Sequence, residues 1–255
     1  MKSELTDISF MTAFTFELVT TYGFSSLGAP TLPSLRAETV IDAEPDGQQV
    51  LVCIQPRLSE RIAGSAASLQ PVWGVPYYRF PLHPRTRNAR HDLLRSLEQL
   101  NVLVFYVAPA FHTRRELFDA LRHQTVLSHC AFWSPREIDE LTRSARNAVS
   151  FKPGLDFSIM EPGQRRIPNG LDGGKLRDAI SARFQANRSE TYGADRLAKL
   201  GDQMSEGYLR MFAARKERKL VLEVQNSRER IDARDYVSLI STLLYGCYVY
   251  AATRP

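Results

Sequence analysis

Three kinds of residue follow one another early in this chain in an order that suits phosphate chemistry. Asp42, Glu44 and Asp46 come shortly before an apolar run, Val50 to Ile54, which ends in Gln55-Pro56-Arg57. Carboxylates hold hard divalent cations through oxygen, and a guanidinium grips phosphate with a planar fork of donors. Residues two apart in a strand face the same way, so Gln55 and Arg57 are expected on one face. Glu44, on a neighbouring strand, would meet them, and Glu17, on an earlier helix, would add a ligand. The chemistry such a set serves is metal-assisted hydrolysis of a phosphodiester. A core strand beside a solvated acidic turn presents the same residues and does no chemistry.

The elements that must position these groups are legible from periodicity. Phe10, Phe14, Leu18 and Tyr22 recur at helical spacing over residues 6–23, with Thr6 or Asp7 as cap. A strand is expected over 35–41, a tight turn at Asp46-Gly47, and a buried strand over 49–58. Tyr77–Leu82 reads as a strand with proline at an edge or end, and 89–100 as an amphipathic helix through Leu93, Leu94, Leu97 and Leu100. Residues 101–109 form a second continuous apolar run, followed by a helix that Thr113 caps with Glu116 in the capping-box position. Strands alternating with helices make this an α/β chain with a central mixed sheet flanked by helices. Glycines and prolines over 152–174 read as a long loop. Helices are expected over 173–188, 193–219 and 231–250, with a short strand at Leu220–Val224. The expected division is therefore an α/β core over 1–150, then a linker and helical region over 151–255.

The order of these residues resembles the PD-(D/E)XK nuclease superfamily. The resemblance rests on Phe16-Glu17 in the first helix, Leu35-Arg36-Ala37-Glu38 through Asp42-Ala43-Glu44, and Gln55-Pro56-Arg57. More narrowly, Pro33-Ser34-Leu35-Arg36, Gln55-x-Arg57-Leu58-Ser59-Glu60, Pro76-Tyr77-Tyr78-Arg79-Phe80 and Ala108-Pro109-x-Phe111-His112-Thr113 are similar to a group of bacterial proteins carrying a Gln-x-Lys motif. The resemblance implies a restriction-endonuclease-like core over about residues 10–150 and a site for Mg or Mn. Glu44, or Asp42 in its place, would be the metal-binding acid, with Glu17 and Gln55 as further ligands. Glu44, Gln55 and Arg57 would be the catalytic set. Arg57 stands where the family has lysine, and arginine stays protonated, so the implied activity is nuclease-like with a degenerate site. It also implies action on nucleic acid, DNA ahead of RNA, in bacterial antiviral defence or DNA processing. The alternative is an inactive nuclease-fold subunit that binds nucleic acid or assembles with protein partners or with copies of itself.

Charge agrees with a polyanionic partner. The 33 Lys and Arg outnumber the 28 Asp and Glu, for a net +5. The densest basic stretch, Arg79 through His91, places Arg79, Arg85, Arg87 and Arg90 after the aromatic residues Trp73, Tyr77 and Tyr78. Cations interleaved with aromatics suit backbone contacts and base stacking, and equally an ordinary surface loop. His112, directly after the second apolar strand, is read either as a functional group or as part of the next helix cap. Cys53, Cys130 and Cys247 are far apart and show no metal or disulfide spacing, so buried free thiols are expected. No run is long and apolar enough for a membrane span and no secretion signal is seen, so a cytoplasmic protein without membrane partners is expected.

Overall fold

The structure, a computed structural model, describes residues 2–22, 25–26, 48–64, 69–82, 90–138, 147–168, 173–186, 190–191, 193–211, 215–226 and 228–253. In chain order the elements begin with Asp7–Tyr22 (α1), Ser25–Ser26 (β1), Gln48–Pro56 (β2), Glu60–Ile62 (β3), Gln70–Trp73 (α2) and Tyr77–Leu82 (β4). Arg90–Gln99 (α3), Leu103–Pro109 (β5), Arg114–Arg122 (α4), Cys130–Trp133 (β6) and Asn147–Phe151 (β7) follow. Phe157–Glu161 (β8), Arg165–Pro168 (β9), Gly173–Gln185 (α5), Glu190–Thr191 (β10) and Ala194–Met211 (α6) come next. Arg215–Asn226 (α7), Ala233–Ile240 (α8) and Tyr248–Thr253 (β11) complete the series. The protein is thus α/β, with a mixed sheet and helices. Among the described residues no helix is long and apolar enough to cross a membrane.

Two compact units interleave along the chain. The first comprises Met1–Glu17, Pro56–Asn88 and Phe105–Arg177; the second comprises Leu18–Gln55, Ala89–Val104 and Asp178–Pro255.

The first unit contains an antiparallel sheet in the order β3-β4-β7-β8-β9. It also contains the antiparallel pair β5 and β6, in which Tyr106 faces Trp133 and Pro109 faces Cys130. Its core is aromatic. Phe80 and Phe151 each lie 5.2 Å, centroid to centroid, from the fully buried Trp133. Phe14 and Phe105 meet Phe132 at 6.1 and 6.2 Å. Such ring pairs contribute about 0.5–1.5 kcal/mol each beyond the area they bury.

In the second unit β11 runs antiparallel to β2, with Val249 opposite Cys53 and Thr253 opposite Gln49. β1 pairs with the other edge of β11, and β10 with β2. Residues Gln49 to Pro56 are all buried, as a continuous apolar strand requires. Leu93, Leu94 and Leu97 of α3, Leu197, Leu200 and Met204 of α6, and Tyr236, Val237 and Ile240 of α8 are buried as well.

Several sequence expectations change. The expected loop over 152–174 contains the β8–β9 hairpin, because the breakers cluster at its bend and Ile159, Met160 and Ile167 supply buried positions on either side. Gly163 makes that bend at φ +94°, a conformation open to glycine. The helix expected over 193–219 is two helices, α6 and α7. Leu220–Val224 is helical and not a strand: Val221 and Val224 are buried at i, i+3 while Leu222 is exposed. The final helix ends early. After α8 a wider turn, Ser241–Tyr245, closes at Gly246 (φ 64°), and the chain turns into strand β11. The strand expected at 35–41 and the Asp46-Gly47 turn lie outside the described residues.

Candidate functional site

Helix α1 starts from a reciprocal cap, in which the Thr6 N–H donates to Ser9 Oγ and the Ser9 N–H to Thr6 Oγ1, both at 3.1 Å. Phe10, Ala13, Phe14 and Leu18 form its buried stripe, and Glu17 lies on the same side. Its carboxylate is therefore carried inward and is only 3% exposed. The Val126 N–H donates to Glu17 Oε2 at 2.6 Å and the Leu127 N–H to Oε1 at 3.2 Å. These are the contacts of a cap: an anion satisfies the first free N–H groups of the helical turn Leu127–His129.

Gln55, the residue before last in β2, is 4% exposed and belongs to the second unit. Pro56 closes the strand without an N–H to give. The backbone pairing resumes at once, because the Arg57 N–H donates to the Val107 carbonyl at 2.8 Å. The Ser59 hydroxyl then donates to the Pro109 carbonyl. Arg57 is half-buried, with its guanidinium carbon 5.6 Å from the centroid of the buried Tyr106 ring. A cation over an aromatic face is attracted by the negative face of the ring.

Arg79 lies between two carboxylates, 3.4 Å from Glu60 Oε2 and 3.9 Å from Glu161 Oε2. Glu161 Oε1 accepts a 2.6 Å bond from the Ser150 hydroxyl. Glu60, Arg79 and Ser150 are direct cross-strand partners on β3, β4 and β7, and Glu161 of β8, two residues beyond the Ile159 that faces Ser150, lies diagonal to Ser150 on the same face of the first unit's sheet. Arg79 is thus charge-balanced where it stands. Asp42, Glu44, Arg85 and Arg87 lie outside the described residues, and so does the side chain of Arg90, the first residue of α3.

The residues assigned to a cation can be weighed from these contacts. Gln55 offers a neutral carbonyl oxygen, and both oxygens of Glu17 already take backbone N–H groups. A hard divalent cation wants more anionic oxygen than this. Asp42 and Glu44 are the residues that would supply it. Among the described residues no group of three or more His, Cys, Asp or Glu is arranged to hold a metal ion.

The turn after β5 forms as read from the sequence. Thr113 Oγ1 accepts the Glu116 N–H, and Glu116 Oε2 accepts the N–H groups of His112 and Thr113 at 2.8 and 2.9 Å. His112 is 3% exposed, and its Nδ1 lies 3.0 Å from the same carboxylate oxygen, so it joins the cap. Burial pushes the Glu116 carboxyl up, but the His112 and Thr113 N–H groups, the Thr113 hydroxyl and the His112 imidazole together hold it below the ordinary 4.5. A folded value below the unfolded one means stability that is present above the unfolded value and lost as pH falls through the folded one. The midpoint of urea unfolding should therefore fall as pH is lowered from about 5, and more steeply for the native chain than for Glu116→Gln. Identical acid limbs in the two proteins would refute this assignment.

One feature absent from the sequence reading is a surface cleft of about 400 Å³ in the first unit, lined by Phe111, Glu116, Asp119, His123 and His129 among others. His123 Nδ1 donates to the Asp119 carbonyl and His129 Nδ1 to the Thr125 carbonyl, each at 2.7 Å. In the neutral form of either ring the accepting lone pair would be on Nε2. The i, i+4 relation of each pair was readable, but the meeting of both rings in one cleft depends on the fold. Compared with protein-family models, curated proteins and solved structures, the chain matches none.

Proposed function

We propose that this chain is a nuclease-like protein that acts on nucleic acid, with Arg57 as its contact to phosphate. The observation that carries the reading is the preparation of Arg57: its backbone is tied to Val107 and its guanidinium rests on Tyr106. A pre-oriented, permanently charged fork loses little freedom when it binds a phosphate oxygen pair. A restriction-endonuclease-like core and a role in antiviral defence or DNA processing belong to the same proposal. So does a divalent cation, Mg or Mn, on Glu44 or Asp42 with Gln55, which would supply a bound water of lowered pKa. Arg57 remains protonated and so positions and neutralises phosphate without taking a proton.

A second reading is favoured by Glu17, whose oxygens serve a backbone turn: a nuclease-fold subunit that binds nucleic acid, or assembles with partners, without cutting. One set of measurements separates the two. The native chain should bind single- and double-stranded oligonucleotides with strong salt dependence. Arg57→Ala should weaken binding about tenfold for all sequences alike and lower the salt slope by about one. Plasmid cleavage in Mg or Mn that disappears in Glu44→Ala supports the catalytic reading, whereas binding without cleavage supports the subunit reading. Unchanged affinity and salt slope in Arg57→Ala would remove Arg57 from the phosphate contact.

A further inference from the structure

We propose that the cleft of the first unit binds an alkylammonium group, the cationic head of a free diamine or of a lysine side chain. The cleft is built from one stripe of α4 and the turn that follows it. Glu116, Asp119, Ala120 and the C-cap residue His123 recur at i, i+3, i+4 and i+7, so they leave the helix on one side. Thr125 and His129 come from the turn. The Ala110 N–H ties the end of β5 to that turn by donating to the His129 carbonyl at 2.7 Å. The resulting volume, about 400 Å³, is that of a site for a small ligand.

Every polar side chain in this lining offers an acceptor. The His123 and His129 Nδ1 atoms lie 2.7 Å from the Asp119 and Thr125 carbonyls, which can only accept. The proton therefore sits on Nδ1, and the neutral ring is left with Nε2 as its acceptor. Among the described residues the polar contacts of Glu116 all fall on Oε2, which leaves Oε1 for a ligand. Asp119 Oδ2 has the exposed Arg115 Nε at 3.9 Å, too far for a hydrogen bond. The Thr125 hydroxyl spends its proton on the Ala120 carbonyl at 3.3 Å and keeps its lone pairs. An ammonium has three donors and no acceptor, the complement of such a lining. The buried Phe111 and Ala120 supply an apolar wall for its methylene stem.

Charge selects the same ligand. Glu116 and Asp119 are like charges one helical turn apart, an arrangement that costs a helix stability and that a cation relieves. Asp119 and His123 also lie towards the C-terminal end of α4, where the helix dipole favours positive charge. Among the described residues no lysine or arginine lines the cleft, so phosphate is repelled and the site is separate from the Arg57 contact. A single metal ion fits less well, because among the described residues no three His, Cys, Asp or Glu are arranged to hold one. Acceptors spread along a cleft suit a longer ligand with several donors.

The test follows the imidazole nitrogens of the full chain by NMR in mildly alkaline buffer, where an ordinary imidazole is neutral. His123→Gln and His129→Gln assign the two rings. Both should carry their proton on Nδ1. Addition of 1,5-diaminopentane should shift both Nε2 signals saturably, with a Kd of about 1 mM for so small a ligand. Pentane-1,5-diol has the shape without the charge, and tetramethylammonium the charge without a donor; neither should move the signals. Asp119→Asn should keep the native thermal midpoint and weaken the diamine about tenfold, the loss of one charged hydrogen bond. Nα-acetyl-lysine methylamide distinguishes the source: tighter binding than the diamine assigns the site to a partner's lysine, weaker binding to a free amine, and either sustains it. The proposal is overturned if neither amine gives a saturable shift, or if the diol or tetramethylammonium shifts the rings equally. Protons on Nε2, unchanged affinity in Asp119→Asn, or a response to inorganic phosphate in place of the amines would also overturn it.

Discussion

Glu17→Ala should lower the unfolding free energy by about 3 kcal/mol, because each buried N–H left without an acceptor costs about 1–3 kcal/mol. The two donors concerned are the Val126 and Leu127 N–H groups, at 2.6 and 3.2 Å from the carboxylate. Glu17→Gln should fall about halfway, since one carbonyl oxygen remains while the amide NH2 faces the second N–H. Urea unfolding monitored by circular dichroism measures both. The same experiment in EDTA and in excess Mg separates a cap from a metal ligand. A cap loses the same free energy in both solutions, whereas a ligand loses more in Mg, because the cation stabilises only the native chain that binds it. A midpoint for Glu17→Ala equal to that of the native chain would remove the cap argument.

The second large effect concerns Gly201, in the middle of α6. Replacing a helical glycine by alanine ordinarily stabilises by about 1 kcal/mol. Here a Cβ would stand 2.6 and 2.7 Å from two ring carbons of Tyr236 and 3.3 Å from Ile240 Cδ1. The ring is poorly placed to yield. Tyr236 is fully buried, its hydroxyl donates to Asp202 at 3.1 Å, and Asp202 is held by Arg228 at 2.7 Å. Overpacking of about 1–3 kcal/mol therefore outweighs the propensity gain, and Gly201→Ala is expected to be net destabilising by about 1–2 kcal/mol. In a Tyr236→Ala background the clash is gone, so the same substitution should recover its ordinary stabilising sign. A double-mutant cycle in thermal unfolding reads this directly. Additive effects would show that the α6–α8 approach is looser than described.

Local rules carried a good part of the fold. The 3.6-residue spacing of Phe10, Phe14 and Leu18 gave α1, the unbroken apolar runs gave β2 and β5, and Thr113 with Glu116 gave the start of α4. These signals lie within a few residues of one another, so the chain states them without help from its tertiary structure. The C-terminal errors have the opposite origin. Tyr248–Thr253 has an apolar pattern compatible with helix or strand, and the open backbone of β2 decided it by pairing. Composition also hid the β8–β9 hairpin, since it counted glycines and prolines without locating the bend.

For the candidate site, the sequence by itself determined that Glu17 rides the core face of α1 and that an arginine follows a buried strand ending in glutamine. Only the tertiary structure decided what those groups touch. Glu17 finds its partners 109 and 110 residues away, Arg57 rests on Tyr106, and Arg79 is flanked by Glu60 and Glu161. The physical reason is common to all three. Periodicity fixes the direction in which a side chain leaves its own element, whereas its partner is set by which distant element packs there. A carboxylate on a buried stripe reads alike as ligand or as cap until the donors facing it are known, and in this chain those donors are backbone N–H groups.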